Sequence, residues 1–200
     1  ITDENRKKRI ARETMEIYAP LSDRMGMNRI RDELEDLSFQ KLNPEARNLV
    51  VEKLSINKKN RLNNFKVISK KFNIILIDNG VDAKIMGREK TPFSIWRKMQ
   101  SKRVSLEQLT DINGFRVVVD SVGTCYKVLG IFHNNWSTIP GRFKDYISTP
   151  KINNYKSIHT SIIGPNREIV EIQIRTNQMH EFAERGIASH WMYRSSEKVS

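Results

Sequence analysis

The amino-acid sequence predicts an α+β domain behind an all-helical arm. Helix-spaced apolar residues fill positions 6 to 72, strand-like runs with turn signals begin at residue 73, and helical stretches recur between those runs. With 200 residues, 38% of them hydrophobic, the chain can bury a core, which argues against disorder.

Between residues 6 and 42, Ile10, Met15, Ile17, Leu21, Met25, Ile30, Leu34 and Leu37 recur near helical spacing, and Pro20 breaks the pattern. Two helices around that proline follow. Pro44 marks another helix start, and Ala46, Leu49, Val50, Leu54, Leu62, Phe65, Ile68 and Phe72 continue the periodicity across polar Asn57 to Asn60. A third, long and bent helix is expected there. Residues 73 to 78 and 81 to 86 read as short strands, and Asn79-Gly80 between them is a hairpin signal. A helix from Pro92, a strand at Phe115 to Val119, a helix from Val122 to Asn135 and a loop around Pro140-Gly141 come next. Alternating strands at Ser157 to Ile163 and Glu168 to Arg175 flank the turn Gly164 to Arg167, and a last helix spans Asn177 to Met192. The expected organisation is an arm at 1–42, a helical connector at 43–78 and a catalytic-sized domain at 79–200.

Lys and Arg number 35 against 23 Asp and Glu, a net charge of +12, so the surface should attract phosphate-bearing partners rather than basic ones. The single cysteine, Cys125, excludes an internal disulfide, and no apolar run approaches the roughly 20 residues of a membrane span. A cytoplasmic protein without membrane contact is expected; the opening residues carry no export signal, and the missing initiator methionine points to a trimmed chain. Lys58, Lys59, Arg61 and Lys66 read as a solvated helix face. His133, His159, His180 and His190 are scattered without metal-ligand spacing.

Three stretches carry chemistry. In Gly87-Arg-Glu-Lys-Thr-Pro-Phe-Ser-Ile-Trp-Arg-Lys98, a strand ends at glycine and a helix begins with Thr91 as N-cap and Pro92 at its first position. Free N–H groups at that helix start favour an anion, with Arg88 and Lys90 beside it and Ser94 and Lys98 on one helical face. A capped surface helix with ordinary basic decoration would read the same way. Second, Asp111 precedes a strand and Glu171 lies within one; alternation buries Val170, Ile172 and Ile174 and turns Glu171, Gln173 and Arg175 to a cleft or to solvent. Paired acids beside a phosphate site suit Mg²⁺, which prefers oxygen ligands. Third, Gly141 to Tyr146 and Lys151 to His159 combine cations, amides and rings, with Tyr155 able to stack on a base and His159 to meet a phosphate or hydroxyl.

These stretches, in this order, resemble the synthetase domain of the RelA/SpoT-type (p)ppGpp enzymes. The carriers are Gly87-Arg-Glu-Lys with Ser94, Asp111 with Phe115-Arg116-Val, Gly141-Arg-Phe-Lys-Asp-Tyr146, Asn153-Asn-Tyr-Lys-Ser-Ile-His-Thr160, Val170-Glu-Ile-Gln-Ile-Arg-Thr176, Met179-His-Glu-Phe-Ala-Glu and Gly186-Ile-Ala-Ser-His-Trp191. The resemblance implies a mixed, five-stranded-type sheet flanked by helices and similar to nucleotidyltransferases. It implies transfer of pyrophosphate from ATP to the 3′-hydroxyl of GDP or GTP, giving AMP and ppGpp or pppGpp. By the same resemblance Asp111 and Glu171 hold Mg²⁺, with Glu171 near the attacking hydroxyl, and Arg88 and Arg116 sandwich adenine. Lys90, Ser94 and Lys98 hold the ATP phosphates; Tyr155 stacks on guanine; Lys144, Lys151, Asn153, His159 and Gln173 line the acceptor.

Arg142-Phe-Lys-Asp145 resembles the basic form of this loop in bifunctional members, and residues 18–39 resemble the last helices of the preceding hydrolase domain. No histidine is followed by aspartate, so the resemblance implies no hydrolase centre here, and ribosome or RNA contact is left to a longer parent protein. Two positions depart from the family pattern: Asn154 replaces a usual glycine and Asn113 a usual apolar or aromatic residue. Asn tolerates the left-handed backbone that glycine would supply. A basic module tracking an RNA backbone, or a nucleotide-binding relative without turnover, remains an alternative; the acid pair Asp111 and Glu171 separates the first from an enzyme.

Overall fold

The structure, a computed structural model, describes residues 3–56, 58–106, 109, 113–165 and 167–186. Among them no helix is long and apolar enough to cross a membrane.

The arm is a stack of helices: α1 (Glu4–Glu13), a π-helical turn (Thr14–Tyr18), α2 (Ala19–Arg24) and α3 (Asn28–Leu42). Asp3 starts α1 by accepting from the backbone of Asn5. The sequence expectation of a break at Pro20 fails: α1, the π-helical turn and α2 run on without interruption, and the chain leaves the helix only at Met25. The chain then turns at Gly26, whose φ of +73° favours glycine, and packs against the end of the last helix: a Cβ on Gly186 would lie 2.4 Å from the carbonyl oxygen of Met25.

Two helices follow, α4 (Pro44–Ile56) and α5 (Lys58–Asp78). Here the sequence expectation of a strand at 73–78 and an Asn79-Gly80 hairpin fails, because α5 runs on to Asp78. Asn79-Gly80 is the helix stop: the Gly80 N–H bonds the carbonyl of Ile77, the Val81 N–H that of Leu76, and Gly80 sits at φ +66°. That double bond with left-handed glycine is a Schellman cap, and buried Val81 and Leu76 both join the core, as its apolar clasp requires. An apolar run of Ile and Leu is ambiguous between strand and buried helix, and length settles it only when the start is visible.

The second half supplies β1 (Lys84–Glu89), α6 (Pro92–Lys102), β2 (Asn113–Val119), α7 (Val122–Asn135), β3 (Lys144–Asp145), β4 (Ile158–Ile163), β5 (Ile169–Thr176) and α8 (Asn177–Arg185). The strand expected at 81–86 begins later and continues past Gly87. The expected last helix is described as far as Arg185. The sheet is mixed and five-stranded in the order β1-β2-β5-β4-β3, with β2 and β5 parallel and the other pairs antiparallel.

One sheet face is covered by α5 and α7. Ile68, Phe72 and Leu76 meet Phe115, Val117, Ile158, Ile172 and Ile174 in the main core, with Cys125, Val128 and Phe132 from α7. Gly87 leaves room for Phe65, whose ring would stand 2.9 Å from a Cβ there. A second apolar cluster joins Val50 of α4 to Ile95 of α6 with Leu106 and Leu109. The opposite face is left for polar residues.

Candidate active site

Strand register writes the site. β2 pairs β5 with Gly114 opposite Glu171 and Arg116 opposite Gln173, and β1 pairs β2 with Arg88 opposite Gly114. β4 sets His159 beside Gln173, and β3 sets Lys144 beside His159. Because side chains alternate, Arg88, Glu171, Arg116, Gln173, Arg175 and His159 share the face that the core does not use. That face is not open to solvent: Gln173 is 7% and Arg175 1% exposed. Of the two directions the sequence allowed for Glu171, the cleft is the one found.

Glu171 accepts a hydrogen bond from Lys90 Nζ at 3.0 Å. Burial pushes its pKa up, but the charge and hydrogen bond of Lys90 outweigh that and leave it below the ordinary value. The two residues line a small cavity with Arg88, Gly114, Phe115 and Gln173, about 10 Å³ and thus at the lower limit for one water-sized guest. A hard carboxylate oxygen at such a hole fits one ligand position of Mg²⁺. Asp111, the other expected ligand, lies outside the described residues. Lys98 is pushed down to about 7, first by burial and then by the charge of Lys90.

The start of α6 differs from expectation. Pro92 has no N–H, the Phe93 N–H donates to Asp36 Oδ1 at 3.2 Å, and the Ser94 N–H donates to Thr91 Oγ1 at 3.3 Å. Thr91 is the N-cap expected from the sequence, yet Asp36 from the arm occupies the place an anion was expected to take. Neither the Phe93 nor the Ser94 N–H is left for an anion at this helix start. Thr91 also donates its hydroxyl to Ser94 Oγ at 2.9 Å.

Two larger cavities meet at Arg88 and Arg116. One, about 530 Å³, lies between α3 and β1. The other, about 760 Å³, is lined by Tyr155, His159, Lys151, Asn153 and Gln173 together with arm residues Arg24 and Arg31. In it Tyr155 is 8% exposed, and its hydroxyl meets His159 Nε2 at 2.9 Å. Lys151 Nζ stands 5.1 Å from the Tyr155 ring centre and 5.0 Å from that of Tyr146. Asn153 is engaged at both ends of its amide, receiving the Tyr155 N–H and donating to the carbonyl of Asp23. Asn154 has the left-handed φ of +60° that its glycine-like place required. Burial, followed by nearby cations, pushes His159 down to about 4, so at neutral pH it offers an uncharged ring and not a cation. Lys144 is exposed on the edge strand and lines neither larger cavity.

Residues without a role in the sequence reading complete the site. Arg116 pairs with Glu184 at 2.9 Å, and Glu184 also meets the buried Arg175 at 3.4 Å. Burial and the neighbouring Arg175 and Arg88 lower Arg116 to about 10, which leaves it charged at neutral pH. Arg88 donates to Asp32 of α3 at 3.1 Å. Among the described residues, four buried polar side-chain atoms have no hydrogen-bond partner; Arg116 Nε, Arg175 Nε and Gln173 Oε1 are on the cleft face, and the fourth, Glu35 Oε2, is on α3. Buried polar atoms of that kind mark a surface built to meet a polar guest. Strand alternation pointed Arg175 at the cleft; no local pattern could pair Asp32 or Glu184 with arginines far away in sequence.

Residues 87–198 match the family described as a region found in RelA / SpoT proteins. The chain is 52% identical over 192 residues to the GTP pyrophosphokinase rsh of Brucella melitensis, covering 96% of this chain and 26% of that protein. It is 43% identical over 194 residues to a guanosine-3′,5′-bis(diphosphate) 3′-pyrophosphohydrolase of Vibrio cholerae, covering 97% of this chain and 28% of that one. The chain thus spans about a quarter of the length of the curated relatives it matches. Among solved structures, the small alarmone synthetase 2 of Bacillus subtilis superposes with a TM-score of 0.51 at 29% identity, over 71% of this chain and 83% of that one. From the matched region, its sheet and the motifs that line the cleft, the chain belongs to the RelA/SpoT family.

Proposed function

We propose that the cleft transfers a pyrophosphoryl group from ATP to the ribose 3′-hydroxyl of GDP or GTP, giving AMP and ppGpp or pppGpp. The observation that carries the reading is Glu171, set by β-register between a cationic wall (Arg88, Lys90, Arg116) and a ring-lined pocket (Tyr155, His159) on one sheet face. The names of the relatives, GTP pyrophosphokinase and small alarmone synthetase, support it.

In this reading Arg88 and Arg116 present flat guanidinium faces to adenine. Lys90, Ser94 and Lys98 hold the ATP phosphates, and Tyr155 stacks on guanine, with Lys144, Lys151, Asn153, His159 and Gln173 around the acceptor. Stacking on the ring face now under Lys151 requires that ammonium to move toward the phosphates of the acceptor. Asp111 and Glu171 would hold Mg²⁺; Asp111 precedes Gly114, the register partner of Glu171, by only three residues. When bound, the ion supplies positive charge against the phosphate oxygens. The protein's own contribution is to place two nucleotides in line and to keep Glu171 near the 3′-hydroxyl, where it accepts the proton as oxygen attacks the β-phosphorus and AMP leaves.

The same reading divides the chain into an arm at 1–42, a connector at 43–78 and a catalytic domain at 79–200; α3 ends at Leu42, in keeping with the first boundary. Synthesis alone is assigned, since no histidine of the chain is followed by aspartate. The test is incubation of the chain with labelled ATP, GDP and Mg²⁺ followed by product separation. AMP and ppGpp in equal amounts are expected; ATP hydrolysis without ppGpp, or no turnover, would overturn the assignment.

A further inference from the structure

The lining of the 530 Å³ cavity includes Arg88 and Arg116 together with the carboxylate bonded to each. Arg88 Nη2 donates to Asp32 Oδ2 at 3.1 Å, and Arg116 Nη1 pairs with Glu184 Oε1 at 2.9 Å. Neither acid belongs to the sheet; one comes from α3 of the arm and the other from α8. We propose that Asp32 and Glu184 are positioning residues for the donor nucleotide, holding the two guanidinium planes in the attitude in which they receive its base. The proposal rests on the reading of Arg88 and Arg116 as the adenine-stacking pair.

The chemistry of arginine favours positioning over blockade. All guanidinium N–H groups lie in the plane of the group, so a carboxylate bonded to the edge leaves both faces uncovered. A stacking base uses the faces. Each acid is itself fixed by a second arginine behind it. Asp32 Oδ1 accepts from Arg31 Nε at 3.0 Å and Nη2 at 2.5 Å, and Glu184 Oε1 is 3.4 Å from Nη2 of the fully buried Arg175. The same order therefore occurs twice: stacking arginine, carboxylate, anchoring arginine. Long side chains fixed in advance do not have to be ordered by the ligand, which is where preorganisation raises affinity. Arg31 is held in turn by Asp23 and by Asn28 Oδ1, so the arrangement extends into the arm.

Calorimetry on this chain, with a nonhydrolysable ATP analogue and separately with GDP, tests the proposal. Asp32→Asn and Glu184→Gln should each weaken the analogue about tenfold, the scale of one hydrogen bond to a charged group. Asp32→Asn should leave GDP affinity within about twofold and the thermal midpoint unchanged, and Asp32→Glu should restore most of the loss. Arg88→Ala separates the proposal from the reading beneath it. Unchanged analogue affinity in Arg88→Ala would remove Arg88 from the donor site. Weakened binding in Arg88→Ala together with unchanged or tighter binding in Asp32→Asn would leave that reading standing and overturn the positioning role, tighter binding marking Asp32 as a latch. With Arg88→Ala as background, Asp32→Asn should have no further effect; an undiminished loss there would also overturn it. Should either Asp32 variant fail to fold, Glu184→Gln decides in the same way through Arg116→Ala.

Discussion

The two sides of the cleft are made of different materials. On the side of β1 and the arm, the polar groups are charged and already paired: Arg88 with Asp32, Lys90 with Glu171, Arg116 with Glu184. On the side of β3 and β4 they are rings: Tyr146, Tyr155 and His159 meet edge to face at centroid distances of 5.2 to 6.2 Å, with the Lys151 ammonium beside two of them. Partly buried pairs can be redirected by an arriving polyanion, and their strength depends on protonation and salt. The tyrosine ring contacts respond to shape and stay nearly blind to both, so of the rings on this side only His159 carries a dependence on protonation. The contrast suits a cleft that binds two nucleotides by different handles and joins them at Glu171.

The largest effect belongs to the junction itself. Glu171→Gln should reduce turnover by about 10²-fold or more while both nucleotides still bind, as when preorganised charge is removed elsewhere; single-turnover kinetics with separate binding measurements checks this. Tyr155→Ala comes next and breaks the comparison if the sides are alike. It should raise the acceptor KM by about tenfold or more, within the range of a lost base–aromatic stack, and leave the ATP KM within about twofold. Equal effects on both would remove Tyr155 from the acceptor side.

Protonation sharpens the contrast further. Lys98, pushed down to about 7, is charged below that pH and largely neutral above it, so affinity for an ATP analogue should fall by a few-fold between pH 6.5 and 8.5. Lys98→Arg, charged throughout, should flatten the profile. The smallest effect is on stability. His159 titrates near 4 in the folded chain against an ordinary 6.5, so the unfolded chain binds more protons between those values and stability falls as pH drops through that window. Thermal midpoints measured from pH 7 to 4.5 should fall less steeply in His159→Gln than in the parent.

The same division explains how much was legible in the sequence. Thr91-Pro92 opens α6 as its start signal indicates, α7 and α8 begin at Val122 and Asn177 as expected, and alternation in β5 separated Ile172 and Ile174 from Glu171 and Gln173. The hairpin at Asn79-Gly80 was misread because a glycine with positive φ serves a tight turn and a helix cap equally well, and only the long register of α5 behind it decides. The motifs put Arg88, Arg116, His159, Glu171 and Gln173 on one sheet face, while Asp111 lies outside the described residues, Lys144 lines neither larger cavity, and the anion place at α6 is filled by Asp36 from 57 positions away. Asp32, Asp36 and Glu184 were not found because their partners are set by how the arm and α8 pack on the sheet. Nothing within one turn of those acids records that packing.

In the proposed reaction a donor and an acceptor nucleotide lie on opposite sides of Glu171. A crystal structure of the chain with a nonhydrolysable ATP analogue, GDP and Mg²⁺ tests it most directly. The expected result is adenine between Arg88 and Arg116, guanine against Tyr155, and a divalent ion shared by Glu171 and Asp111. Both bases in one cavity, or an ion and Asp111 remote from Glu171, would contradict it.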